Sequence, residues 1–361
     1  MKIRRLYEDE SRCTISLWQD IFTEDSQKFL EYYYKEKTKD NCIYIIEENN
    51  EICAMLHINP YDLFIGGKIK KVHYIVAVAT KKEYRHKKYM SSLLKQAEDD
   101  MKKAKEPFAF LMPAAEAIYS PHGYRFIYDQ DQGKIRGKKP CSGYTFSFAG
   151  QEDNEEMAQF SNHILKGKKE VFALRSPKYY DVLRKEQESE NGGIVIVRNG
   201  KTMIGMFSYT NVEEEYEIRE PLFLEGYEDS FSEAVYELTK KEEEVSCYGY
   251  GKEKKPMIMA KILDVKEMLE CLKAEEEINL LLTVTNEFEQ EAVKTYHISG
   301  KETLYVEQLK ENKKVQSIGI GDLTSIIFGY KNLEEVAISE ELKKELLKIK
   351  PLLEVFLNEV V

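Results

Sequence analysis

The sequence predicts a mixed α/β (α+β) protein, with mixed central sheets flanked by helices and more than one such unit along the chain. Three observations predict it. First, Tyr74-Ile75-Val76-Ala77-Val78-Ala79-Thr80 is an apolar run without alternation, as expected of a strand covered on both faces, and it leads through Arg85-His86-Lys87-Lys88-Tyr89-Met90 into a helical period. Second, 361 residues exceed what one core ordinarily organises, and 42% hydrophobic with 11% aromatic residues suffices to pack several cores. Third, the order hairpin, strand, loop, helix occurs twice before the pattern changes near Met257.

Trp18, Phe22, Phe29, Tyr32, Tyr33 and Tyr34 form an early aromatic-rich helical stretch, most of it core. Glu47-Glu48-Asn49-Asn50-Glu51 and then Gly66-Gly67 turn two hairpins, and the strand through Val78 follows. In the next helix Met90, Leu93, Leu94, Ala97, Met101 and Ala104 recur at helical spacing and pack, leaving Lys95, Lys102 and Lys103 wet. That helix starts beside Arg85, Lys87 and Lys88, so its free N–H groups and positive dipole end add to those cations as a cradle for a diphosphate. A lysine-rich turn is more often only a solvated loop. This one sits at the C-terminal end of a buried strand, where open α/β sheets place their ligands.

At these residues the sequence resembles the GCN5-related N-acetyltransferases (GNAT), whose acetyl-CoA signature is strand, Arg/Gln-x-x-Gly-x-Gly/Ala, helix; Arg85 to Met90 occupies that slot. Lys88 and Met90 stand at the signature's small-residue positions, so Lys88 forgoes the close backbone approach glycine allows and adds a charge. Downstream, Pro107-Phe108-Ala109-Phe110-Leu111-Met112-Pro113-Ala114 and Ala117-Ile118-Tyr119-Ser120-Pro121-His122-Gly123-Tyr124-Arg125-Phe126 are similar to the enhanced intracellular survival (Eis) acetyltransferases. Lys255-Pro256-Met257-Ile258-Met259-Ala260-Lys261-Ile262-Leu263-Asp264 is similar to the join before that family's third domain.

The resemblance implies tandem GNAT folds and a C-terminal sterol carrier protein-like α+β domain. It implies a catalytic GNAT domain over 1–150, a degenerate GNAT-like domain without a cofactor site over 151–256, and a third domain over 257–361 that supplies the C-terminal carboxylate. It implies acetyl-CoA as co-substrate, held by Val76, Ala77, Val78, Arg85, His86, Lys87, Lys88, Tyr89 and Met90, with no metal. Tyr119 is implied as general acid and the carboxylate of Val361 as general base, with Trp18, Phe22 and Tyr32 at the acceptor pocket, and the assembly is implied to be a hexamer. Such a pairing is chemically sound. An amine sheds a proton as it attacks a thioester, and the departing thiolate gains one. A tyrosine, titrating ordinarily near about 10, keeps its proton at neutral pH; an α-carboxylate near about 3.3–3.7 is a weak base that needs burial, a bridging water or a shift in the amine. N–H groups freed where Val76 to Val78 splays from its neighbour would polarise the thioester oxygen.

The second unit reads as strand Ile194 to Val197, an Asn199-Gly200 turn, strands Thr202 to Tyr209 and Tyr216 to Leu224, and a helix of Phe231, Ala234, Val235 and Leu238. Where the first unit has Arg85, Lys87 and Lys88, this one has Glu225, Glu228 and Asp229, which repel a diphosphate. The order of elements alone leaves duplication and coincidence both open. Farther on, Asn279 to Thr285 and Gly300 to Gln308 read as strands, Gly319 to Tyr330 as a strand turning into a short helix, and Glu340 to Lys350 as an amphipathic helix stopped by Pro351.

Composition narrows the function. Residues 1–150 hold 25 Lys and Arg against 21 Asp and Glu, a balance of +4, while the rest carries −15 of the net −11. The first part therefore suits an anionic cofactor and the remainder a cationic substrate, whereas a nucleic-acid reader needs a net basic face. No stretch approaches the roughly 18 apolar residues of a membrane span and no apolar signal core follows the N-terminal Met1-Lys2-Ile3-Arg4-Arg5, so no membrane partner and a cytoplasmic location are expected. Cys13, Cys42, Cys53, Cys141, Cys247 and Cys271 lack paired metal-ligand spacing and read as reduced thiols, and His57 and His73 read as structural. The expectation is an acetyl-CoA-dependent N-acetyltransferase that takes a primary amine of a polycationic small molecule, aminoglycoside-like, by direct attack. A polyamine, lysine or peptide acceptor, and a non-catalytic CoA- or lipid-binding protein, are the alternatives.

Overall fold

The computed structural model describes residues 2–286, 293–310 and 316–359. Strands β1 (Lys2–Arg5), β2 (Cys42–Glu48), β3 (Glu51–Ile65) and β4 (Lys68–Thr80) form an antiparallel meander, and β5 (Phe108–Leu111) lies parallel to β4. The hairpin turns hold Asn49 and Asn50 at φ 52° and 63°, and Gly66 and Gly67 at 55° and 98°, the left-handed pairs that match strand twist. Strand alternation sorts the core to two faces. Ile43, Ile45 and Met55 meet α1 (Ile15–Ile21) and α2 (Gln27–Glu36), while Tyr44, Ile46, Ala54 and Leu56 meet α3 (Tyr89–Lys103). Ser26 caps α2 by accepting from the Phe29 amide at 3.0 Å.

After α4 (Glu116–Tyr119) come β6 (Arg125–Arg136), β7 (Thr145–Phe148), α5 (Asn154–Lys168), β8 (Val171–Ala173), α6 (Pro177–Ser189), β9 (Gly193–Asn199), β10 (Thr202–Val212), β11 (Glu215–Phe223), α7 (Asp229–Thr239), β12 (Glu244–Tyr248) and β13 (Glu253–Ile262). The sheet path runs β1-β2-β3-β4-β5-β13-β6-β12-β11-β10-β9-β7, so the two units share one sheet. They interlock by exchange: β13, which follows the second unit's β12, pairs with β5, and β6, which follows the first unit's β5, pairs with β12. Strand β13 crosses the expected boundary between 256 and 257. At the seam Lys261 of β13, only 3% exposed, donates to Glu98 of α3, 6% exposed, at 2.6 Å, and the Tyr124 hydroxyl donates to the other Glu98 oxygen at 3.0 Å. A buried charge survives where its partner and its hydrogen bonds are buried with it.

The third unit has α8 (Val265–Leu269), β14 (Lys273–Ala274), β15 (Ile278–Thr285), β16 (Val293–Gly300), β17 (Leu304–Gln308), β18 (Ser317–Gly319), α9 (Ile320–Ile327), α10 (Glu340–Leu346), β19 (Ile349–Lys350) and β20 (Val355–Phe356). The single strand expected from Gly300 to Gln308 is corrected here: Gly300, at φ 112°, ends β16, and β17 starts only at Leu304. The last helix likewise stops at Leu346, and Ile349–Lys350 pairs with β14 as a strand. Strand β20 returns the chain to the first two units by pairing in parallel with β8, which lies along the end of β3.

Candidate active site

The segment expected to hold the cofactor lies where β4 leaves its neighbours. Strand β4 pairs with β5 only at Tyr74↔Phe110 and Ile75↔Leu111, so the two part just before Val76. On the other side the register passes from His57↔Val76 to Met55↔Ala79, so Leu56 alone opposes Ala77 and Val78. This is a β-bulge, and its first residue, Ala77, sits at φ 50°, a left-handed conformation unusual for a residue with a Cβ. Bulge and splay turn backbone groups of Val76 to Val78 out of the ladder, as a site for an extended amide-bearing ligand requires.

The loop beyond carries the predicted cations on the surface: Arg85, His86, Lys87 and Lys88 are all exposed. His86 and Lys88 adopt φ 65° and 63°, and Lys88 is the N-cap of α3. At the signature's glycine position the chain therefore keeps a left-handed turn and accepts the cost of a side chain there, about 1–2 kcal/mol. Tyr84 and Tyr89 stack with centroids 6.0 Å apart, and Lys87 Nζ lies 4.4 Å from the Tyr84 ring centroid. The Tyr89 hydroxyl donates to Glu48, and Lys81 pairs with Glu51, anchoring the loop to the β2–β3 hairpin. Met90 is half-buried against the α3 face of the sheet. Exposed cations, first-turn amides and a splayed strand at one end of the sheet fit a nucleotide diphosphate with an extended arm.

Tyr119 ends α4, which follows β5, and is 7% exposed with its ring 6.1 Å from that of Tyr124. Burial pushes its hydroxyl up to about 12, so it holds its proton throughout the neutral range. Tyr74, on β4 just before the splay, is raised by burial first, with further contributions from Tyr61, Tyr119 and Glu359.

A cavity of about 1200 Å³ opens between the first two units. Its wall runs from Met112 and Pro113, just past β5, across Tyr61 and Glu186 to Glu217 and Tyr248 of the second unit. Ten carboxylates line it, Glu24, Asp25, Asp62 and Glu190 among them, against seven Lys and Arg side chains. Of the predicted acceptor residues, Trp18 and Tyr32 are 2% and 6% exposed and belong to the core under α1 and α2. They touch the cavity through partners: the Trp18 indole donates to Asp25 at 2.6 Å, and the Tyr32 hydroxyl donates to Glu186 at 2.9 Å. Phe22 packs half-buried against Trp18, and Phe29 of α2 lines the cavity directly. Helical periodicity selects the inward face, and here that face is core.

The residues that sequence reasoning missed lie in the second unit. Its β11 repeats the bulge: the register with β10 passes from Ser208↔Arg219 to Met206↔Leu222, and Glu220 sits at φ 53° as Ala77 does at 50°. Its β11 also parts from the parallel β12 after Arg219↔Tyr248. The recurring order of elements is thus matched by a recurring bulge and splay in the backbone. Pro221 stands at the Val78 position and has no N–H to offer. Arg175, buried, bonds both Glu220 and Glu359, which also line the cavity, and stacks 4.3 Å over Tyr179. Burial lowers the Arg175 guanidinium, but Glu220 and Glu359 outweigh it and keep it charged. Aligning Glu220-Pro221 with Ala77-Val78 is the signal that would have found the site. Val361, the second predicted catalytic group, lies outside the described residues.

All six cysteines are free thiols, and among the described residues no group of three His, Cys, Asp or Glu is arranged to hold a metal ion. His73 is structural, meeting Glu106 at 2.7 Å. No described helix is long and apolar enough to cross a membrane.

The Acetyltransferase (GNAT) domain family matches residues 2–127. No curated protein sequence is a significant match. Among solved structures, the chain is similar to a conserved protein of unknown function from Enterococcus faecalis V583, a probable N-acyltransferase, with 16% identity, a TM-score of 0.79 and coverage of 98% of this chain and 99% of that one. It is also similar to a GCN5-related N-acetyltransferase from Anabaena variabilis ATCC 29413, at 14% identity and a TM-score of 0.80, and to Eis1 from Mycobacterium abscessus, at 11% and 0.71, with 99% of each chain covered in both pairs. At such identities the likeness establishes the fold, and it does so over the whole chain. The domain at residues 2–127 is an acetyltransferase domain of the GNAT type, an enzyme domain whose donor is acetyl-CoA.

Proposed function

We propose that the protein is an acetyl-CoA-dependent N-acetyltransferase that acetylates a primary amine of a polycationic, aminoglycoside-like small molecule by direct attack. The observation that carries this reading is the left-handed bulge at Ala77, which opens β4 from β5, with Tyr119 packed in the same core as Ile75 and Val78. Acetyl-CoA, when bound, supplies the thioester. In this reading Arg85, His86, Lys87 and Lys88, with Tyr89, Met90 and the first-turn amides of α3, hold its diphosphate, and Val76, Ala77 and Val78 offer backbone groups to its arm. The acceptor nitrogen forms the new N–C bond as the C–S bond breaks; Tyr119 gives its proton to the departing sulfur, and the base takes one from the amine.

The base in this proposal is the carboxylate of Val361, as the resemblance has it; Asn358 and Glu359 in the cavity wall support the assignment. The ten carboxylates of the cavity wall outnumber its seven Lys and Arg, and this net acidic lining supports a cationic acceptor. The test is acetyl-CoA consumption across a panel of aminoglycosides, polyamines, lysine peptides and neutral alcohols. Turnover confined to amines supports the reading, and none with any amine refutes it. One glycine appended after Val361 displaces the carboxylate and should lower kcat; an unchanged rate removes Val361 from the mechanism. The hexamer and the sterol carrier protein-like third unit belong to the same proposal; light scattering tests the first, and fluorescent fatty-acid uptake by a delipidated sample tests whether the second binds lipid.

A further inference from the structure

The second unit repeats the first unit's bulge and splay but has lost what a diphosphate would need. Glu220 and Pro221 replace Ala77 and Val78, and Glu225, Glu228 and Asp229 replace the cations. The chain's own tail lies at this splay. Leu357 is fully buried, and β20 holds Val355 and Phe356 against Val171 and Phe172. The Asn358 side-chain oxygen accepts from the Tyr128 hydroxyl and from the Gln130 amide, each at 3.0 Å. Its nitrogen lies near the splay: a Cβ built on Gly249, just past β12, would be 3.6 Å from that nitrogen and 3.6 Å from the Glu220 Cα of the β11 bulge. Arg175 closes the arrangement by bonding Glu220 on one side and Glu359 on the other, with its own side chain fully buried.

We infer that the second unit's former cofactor groove is a socket for the C-terminal tail, and that Arg175 is the positioning residue that latches Glu359 into it. The left-handed bulge is reused to aim a carboxylate, Glu220, where the first unit aims backbone groups at a ligand. One buried guanidinium between two carboxylates fixes direction as well as charge, since its planar fork bonds one partner on each edge. The consequence for the reaction rests on the function proposed above: residues 358 and 359 line the acceptor cavity only while latched, so a released tail changes the cavity wall.

The experiment compares the full-length parent with Glu359→Gln, Arg175→Gln and the double variant. Hydrogen exchange is read by mass spectrometry on the peptide over residues 353–361, and kinetics by acetyl-CoA consumption with the best amine of the panel. Expected for Glu359→Gln is at least tenfold faster exchange at residues 355–359 with β2 to β4 unchanged. Its kcat with that amine should fall severalfold, with the KM for acetyl-CoA within twofold. The double variant should lose no more than the worse single, because both cut one latch. If Arg175→Gln fails to fold, Glu359→Gln alone decides, since its partner and its socket remain. Unchanged tail exchange in Glu359→Gln overturns the latch. A loosened tail with unchanged kcat overturns its role in the reaction. A parent that consumes no acetyl-CoA refutes the proposed function instead, and the exchange data still decide the latch.

Discussion

Replacing Lys261 by Met tests the seam between the first unit and the strand it borrows. Lys261 Nζ and Glu98 Oε2 are 2.6 Å apart with both residues nearly inaccessible, so the variant keeps the apolar stem and leaves a buried carboxylate without its ammonium. Breaking a buried pair from one side costs about 3–5 kcal/mol. The loss has a ceiling, because the carboxylate can take up a proton instead. For an ordinary carboxyl titrating near about 4.3, that proton costs about 3.7 kcal/mol at pH 7 and only about 1 kcal/mol at pH 5. A protonated Glu98 can then remain bonded to the Tyr124 hydroxyl, now 3.0 Å away. The expected destabilisation of Lys261→Met is therefore about 3–4 kcal/mol at pH 7, shrinking by about 2–3 kcal/mol at pH 5. The sign follows from the proton: in the variant the folded state binds it more tightly than the unfolded state, so acid favours folding relative to the parent. Adding Glu98→Gln to Lys261→Met removes the charge while keeping the shape, and should recover most of the loss. Equilibrium urea unfolding at the two pH values reads all three chains. A Lys261→Met loss that is equal at pH 7 and pH 5, or below about 1 kcal/mol at both, would refute the reasoning.

Tyr119→Phe should lower kcat by about 10²-fold while leaving the KM for acetyl-CoA within twofold, and a rate like the parent's would remove Tyr119 from proton transfer. His57, pushed down to about 3 by burial, stays neutral in the fold while the unfolded chain protonates near about 6.5, so stability falls as the pH drops from there towards 3. Between pH 6.5 and 4.5 that one group removes about 2.3 kcal/mol, and His57→Leu should flatten the acid limb by about 1.4 kcal/mol per pH unit below about pH 6 in urea unfolding. Lys88→Gly relieves a left-handed side chain of about 1–2 kcal/mol against glycine's entropy of about 0.5–1 kcal/mol. Its folding stability should thus stay within about 1 kcal/mol of the parent, and a larger loss would show Lys88 anchoring the loop.

Local chemistry was legible wherever it is a matter of neighbours along the chain. The Asn49-Asn50 and Gly66-Gly67 turns, the buried run through Val78, the basic entry to α3 and the acidic substitution at Glu225 could all be read from residue types, because turn angles, periodicity and charge act over a few residues. Tertiary structure alone decided the rest. The exchange of β6 and β13 between units and the meeting of Arg175 with Glu220 and Glu359 depend on segments 45 to 184 residues apart coming together. The free energy that chooses among such partners comes from burying charge and apolar surface jointly. No single segment carries that quantity, so it exists only once the chain has closed on itself.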